Sequence, residues 1–204
     1  MLGNLTVREF VDTVASDAPV PGGGSVSALV GGIGSALLEM VSNLTIGRKK
    51  YAEYEEEMIK LRIEVMELKD ELLTLMEKDS ESYEEVMKCY SMPKSTDEEK
   101  EERSASIQQC LYEAALTPLE VAKTCLRALE KVTDVLTMGN VNAYSDAKVA
   151  AVMLRSALYG ACYNVQINVE SLKDQEKAAM LSEEIRLLRE QADALEAEAL
   201  AVQV

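Results

Sequence analysis

The sequence predicts an all-α fold, an up-and-down bundle of long helices. Apolar residues recur at alternating steps of three and four along most of the chain, and no segment shows the alternation of a half-buried strand. Leu, Val, Ala, Glu and Met dominate, while aromatic residues make up only 4%. Several stripes are long enough for antiparallel packing of whole helices. The 204 residues suit one domain, 1–204, with 174–204 as a C-terminal heptad helix.

The elements follow in order. A short helix is expected from about Thr6 to Ser16, with Thr6 as N-cap and Glu9 completing a capping box. "DAPVPGGG" ends it. A second helix runs from about Ser25 to Leu44, apolar through Val26, Leu29, Ile33, Leu37 and Met40. Its other face is small: Ser27, Gly31 and Ser35, then Ala28, Gly32 and Ala36. Each interior glycine costs about 1 kcal/mol, so the pattern points to close approach by another helix or a ligand. A long helix from about Lys49 to Tyr90 carries the seam Met58, Leu61, Val65, Leu68, Leu72, Leu75, Asp79, Tyr83, Val86. Asp79 is the one carboxylate in that seam. The next helix starts at Thr96 or Asp97 and is expected to kink or divide at Pro118. A helix from about Asn142 to Leu172 is apolar on nearly every side and reads as central. The last helix carries Leu181, Ile185, Leu188, Ala192, Leu195 and Ala199.

Composition removes several function classes. The net charge of −15 argues against nucleic acid and acidic lipid as partners. The absence of His excludes His-based triads and His-ligated metal sites. Cys89, Cys110, Cys125 and Cys162 form no CxxC pair and read as small buried residues in a reducing compartment. The N-terminus lacks the pattern of a signal peptide. The apolar run Ser25 to Met40 falls short of the roughly 18 residues needed to span a membrane. A cytoplasmic protein without a membrane partner is expected.

Four features carry candidate chemistry. Gly22, Gly23, Gly24 and Ser25 open a helix whose free N–H groups suit an anion or a polar ligand edge. Neither a nucleotide-binding P-loop nor a dinucleotide fingerprint is present, because the required lysine and strand are missing. Asp79 is a buried carboxylate whose pKa must shift or whose charge must find a partner; Asp146, near a helix start, is a second candidate. Arg48, Lys49 and Lys50, joined by Lys94, form a clamp for a carboxylate-bearing ligand. Asn142 lies near a helix start, and Asn164 and Asn168 share one face and need partners, other helices or a heterocycle.

"PVPGGGSVSALVGGIGSALLEMVSNLTIGRKKY", "MPKSTDEEKEER" and "GNVNAYSDAKVAAVMLRSALYGACYNVQIN" together resemble the cyclodeaminase domain of formiminotransferase-cyclodeaminase and its stand-alone bacterial relatives. The resemblance covers roughly residues 4 to 172, with three motifs in order. It implies an all-α homodimer, a tetrahydrofolate substrate with or without a polyglutamate tail, and no metal or redox cofactor. Two activities are implied: deamination of 5-formiminotetrahydrofolate to the 5,10-methenyl compound, and interconversion of methenyl- and 10-formyltetrahydrofolate. Asp79 is then the first acid–base candidate and Asp146 the second, although either could instead hold the pterin's amino-pyrimidine edge. Gly22 to Gly24 and Ser25 contact substrate. Arg48, Lys49, Lys50 and Lys94 hold the glutamate tail, and Asn142, Asn164 and Asn168 orient the pterin. A non-enzymatic helical scaffold is the competing class, since regular seams alone support it equally well.

Overall fold

The computed structural model describes residues 1–203 and contains no strand among them. Seven α-helices follow in order: α1 (Val7–Val14), α2 (Gly23–Thr45), α3 (Glu55–Ser91), α4 (Asp97–Leu129), α5 (Val132–Met138), α6 (Tyr144–Val169) and α7 (Gln175–Ala201). Short 3-10 turns occupy Leu2–Asn4, Lys49–Tyr54 and Val141–Ala143. The expected boundaries hold to within a turn, except that Lys49–Tyr54 is a separate turn before α3 and α5 interrupts the break before α6.

Capping fixes several helix starts. Thr6 with Glu9, and Thr96 with Glu99, form reciprocal capping boxes. The Asp174 carboxylate accepts from the amides of Glu176 and Lys177 at the start of α7.

The four long helices α2, α3, α4 and α6 close an up-down-up-down ring, in which each packs on two neighbours. Helix α7 lies along α6 and α4. The core is aliphatic: Leu38, Met58, Leu72, Leu129, Leu154 and Leu158 are fully buried or nearly so. The small face of α2 serves packing. The hydroxyls of Ser27, Ser35, Ser42 and Thr45 donate to the carbonyls of Gly23, Gly31, Leu38 and Val41, so burial leaves none unsatisfied.

Three expectations change. Pro118 does not divide its helix; α4 runs 33 residues through it. The span-length argument fails, because α2 has 23 residues and a window of mean hydropathy 1.5, and 56% of that window is buried within the molecule. Cys89 on α3 and Cys110 on α4 are joined as a disulfide, with Cα atoms 6.9 Å apart. Their 21-residue separation hides a pairing made by helix packing. Cys125 and Cys162 are free and buried, and burial pushes both thiols up.

The glycines of α2 differ in what they admit. A Cβ on Gly31 would lie 2.6 Å from Cys125 Sγ and 3.3 Å from Leu72, whereas one on Gly32 makes only ordinary contacts, 3.5 Å from Leu73 and 3.9 Å from Leu72. Gly31→Ala should therefore lower the urea midpoint by overpacking, a cost of about 1–3 kcal/mol that outweighs the helix-propensity gain of about 1 kcal/mol. Gly32→Ala should be neutral or raise it. Equal effects at both positions would show that α2 is not held this closely.

Candidate active site

At the end of the bundle where α2 begins and where α3 and α6 finish, a cavity of about 390 Å³ opens between four helices. Pro19, Val20 and Gly22 to Gly24 form one wall. Asp79, Ser82, Tyr83 and Val86 come from α3, Leu111, Ala114 and Pro118 from α4, and Asn164, Ile167 and Asn168 from α6. The size lies within the range of small-molecule pockets, and the lining is apolar with a few polar groups.

The floor is the start of α2. Its N-cap, Gly22, has no side chain to satisfy the first helical amides. The Asp79 carboxylate of the neighbouring helix stands beside this first turn. The Ser25 hydroxyl donates to Asp79 Oδ2 at 2.8 Å, and the Ser25 amide also favours the charged form. The carboxylate passes directly over Gly24, where a Cβ would sit within 2.1 Å of Oδ1. Glycine is required there for space, not for backbone conformation. Ser80 Oγ lies 3.2 Å from Ser25 Oγ; because Ser25 spends its hydrogen on Asp79, Ser80 is the donor of that contact.

Burial raises the pKa of Asp79 above its ordinary value of 3.8, and the bonds from Ser25 offset this only in part. A partly buried carboxylic acid facing a cavity is suited to general acid–base work nearer neutral pH.

On the far wall, Asn164 Nδ2 donates to Gly160 O at 2.8 Å, and Asn168 Nδ2 donates to Asn164 O at 2.9 Å. Each amide therefore keeps its carbonyl oxygen and one N–H for a ligand. Asn164 also stands against Gly23, whose Cβ would meet its amide at 3.1 Å. Gly22, Gly23, Gly24, Ser25, Asp79, Asn164 and Asn168 thus lie together at this end of the bundle.

The other candidates do not reach this cavity within one chain. Arg48, Lys49 and Lys50 are exposed beyond the opposite end of α2, which at 1.5 Å per residue lies roughly 33 Å away. Asp146 is in the first turn of α6, roughly 27 Å along that helix from Asn164, and Asn142 is in the 3-10 turn just before it. The alternating chain direction explains this, because α2–α3 and α5–α6 connect at the end away from the cavity. Lys94 is on the cavity side, in the α3–α4 connection, but does not line it. No basic side chain lines the cavity among the described residues. Sequence reasoning missed Pro19, Val20, Ser82, Leu111, Ile167 and the Ala114–Pro118 pair. Only Pro118, a proline inside a long helix, carried a visible signal.

The family model described as formiminotransferase-cyclodeaminase matches residues 6–187. The chain belongs to the formiminotransferase-cyclodeaminase family. A methenyltetrahydrofolate cyclohydrolase of Methylorubrum extorquens is 39% identical over 96% of this chain and 94% of its own. The formimidoyltransferase-cyclodeaminase of Sus scrofa is 32% identical over 91% of this chain, which spans only 34% of that longer protein. The crystal structure of formiminotetrahydrofolate cyclodeaminase from Thermotoga maritima shares the fold, with a TM-score of 0.87 and 30% identity over 98% of this chain and 96% of that one.

The raised pKa of Asp79 has a consequence for stability. Its folded-state value lies above the unfolded one, so its contribution is complete below about 3.8 and is lost as pH rises through the folded value. Asp79→Asn keeps the shape but does not titrate. The stability of the native protein relative to Asp79→Asn should fall between about pH 4 and about pH 7, read from urea midpoints at each. A pH-independent difference would contradict the raised value.

Proposed function

We propose that this member of the family converts 5-formiminotetrahydrofolate to 5,10-methenyltetrahydrofolate and releases ammonia. The observation that carries the reading is the half-buried, raised-pKa Asp79 on the wall of a cavity that also presents helix-start amides and two asparagine amides. Those groups offer the alternating donors and acceptors that a pterin edge needs. In the reaction, N10 attacks the formimino carbon and loses its proton, while the leaving nitrogen is protonated and departs. Protonated Asp79 is the donor to that nitrogen, and its carboxylate is the acceptor for the N10 proton. These proton transfers call for no metal and no redox cofactor.

A second reading is favoured by the Methylorubrum relative, which matches over nearly its full length and is named a methenyltetrahydrofolate cyclohydrolase. Here water adds to the methenyl carbon and gives its proton to Asp79, and the carbon–N5 bond then breaks with N5 taking up a proton, leaving the formyl group on N10. A scaffold role has no use for a carboxylate held over Gly24 in a cavity.

We propose further that the enzyme is a homodimer, built through the outer face of α2. Ile33, Met40 and Leu44 are exposed there beside Ile63, Met66 and Leu73 of α3. The only charge on α2, Glu39, is neutralised by Lys69 at 2.7 Å. Between two copies of net charge −15, this uncharged face is the one suited to contact. An antiparallel pairing of α2 with its copy would set the Arg48, Lys49 and Lys50 end of one subunit near the cavity end of the other. There it would meet the glutamate carboxylates for which the cavity itself lacks a cation.

Two assays test this. With 5-formiminotetrahydrofolate, the purified protein should raise methenyl absorbance and release ammonia, and Asp79→Asn should lose at least about 100-fold in turnover. Turnover of methenyltetrahydrofolate alone would move the assignment to the cyclohydrolase, and inactivity on both would refute an enzyme. In light scattering the native protein should be a dimer, and Ile33→Glu with Met40→Glu should yield a helical monomer. A native monomer, or one that instead sediments with lipid vesicles, contradicts the proposed face.

A further inference from the structure

We propose that the backbone carbonyl of Ala114, released from the hydrogen-bond ladder of α4 by Pro118, is an acceptor of the cavity that takes an N–H from the edge of the bound heterocycle. The inference rests on the folate reading for the identity of the ligand, and on the fold alone for the free acceptor.

In an uninterrupted helix, the amide of residue 118 donates to the carbonyl of residue 114. Proline has no amide hydrogen, and its ring crowds that same carbonyl. Yet α4 continues through Pro118 to Leu129. The Ala114 oxygen is therefore left without its helical donor. Ala114 and Pro118, one turn apart, both line the cavity, as does Leu111 one turn earlier, so the missing bond lies on the cavity face of α4.

No side chain repairs the loss. Thr117, the hydroxyl beside Pro118 in the chain, is buried and paired with Ser82 Oγ at 3.0 Å. Ser82 spends its own hydrogen on Lys78 O at 2.8 Å, so Thr117 must donate to Ser82. No side chain among the described residues donates to the Ala114 oxygen. A backbone acceptor inside a long helix needs a partner, and here the open side is the cavity.

The cavity then has a division of labour. The start of α2 offers N–H donors, the asparagines of α6 offer both donor and acceptor, and α4 contributes a fixed acceptor. A 2-amino-4-oxo-pyrimidine edge, with its amino and ring N–H groups, is the class of ligand that needs such an acceptor. The helix gives up a bond and gains a rigid recognition group, which explains why a proline is tolerated at a buried mid-helix position.

Pro118→Val, which keeps an apolar side chain of comparable bulk, and Pro118→Ala both restore an amide hydrogen at residue 118. Each should raise the urea midpoint, show a protected amide at position 118 in hydrogen exchange, and weaken binding of a reduced folate by about 10-fold. Unchanged affinity beside a protected amide overturns the inference. Weakened binding in Pro118→Ala that is restored in Pro118→Val overturns it too, because ring packing rather than the carbonyl would then be responsible. If the native protein binds no reduced folate, the ligand assignment fails for both readings. Exchange protection and the rise in midpoint still report whether the carbonyl was free.

Discussion

The contact between the Asp79 carboxylate and the first turn of α2 organises the functional end of this molecule. A helix start with a glycine N-cap leaves its amides unsatisfied. A carboxylate from the next helix stands over that turn and accepts the Ser25 hydroxyl, at the price of part of its own hydration. Several local choices follow from that one contact. Gly24 must lack a side chain, Ser25 must supply the hydroxyl, and Ser80 must donate to Ser25 in turn. The result is an acid held rigidly in position, with burial rather than a nearby charge setting its pKa upward.

The up-and-down topology decides what else can act there. Odd and even connections lie at opposite ends of the bundle, so residues that are neighbours in a motif are separated in space. "PGGGS" and "GRKK" flank the same helix and end roughly 33 Å apart. Asp79, the α2 start and the end of α6 meet because α3 and α6 both run back toward the beginning of α2. Pro118 belongs to the same end, and it alters backbone rather than side-chain chemistry. The polar groups of the cavity therefore come from all four long helices.

Much of the fold was legible in the sequence because burial writes a period of three and four residues. The seam Met58, Leu61, Val65, Leu68, Leu72, Leu75 is buried as read, and Asp79 follows it half-buried on the cavity wall. The capping boxes at Thr6 and Thr96 were legible for the same local reason. The site was half legible. A carboxylate in an apolar stripe and glycines at a helix start announce themselves. Ala114, Leu111 and Ile167 do not, because an apolar cavity wall and an apolar core share one pattern. The distance of the Arg48 group from the cavity of its own chain was not legible, because sequence does not say which end of a bundle a loop occupies until directions are assigned. The Cys89–Cys110 pairing was hidden likewise, since it depends on the register between two antiparallel helices.

The most direct test of this account is the titration of the Asp79 carboxyl itself, followed by its side-chain carbon resonance in the intact protein. The account predicts a midpoint above the ordinary 3.8 that moves higher still when the Ser25 hydroxyl is removed, since that bond favours the charged form. A midpoint at or below the ordinary value would show a carboxylate ionised to cap α2 and nothing more, and would remove the proposed acid from the site.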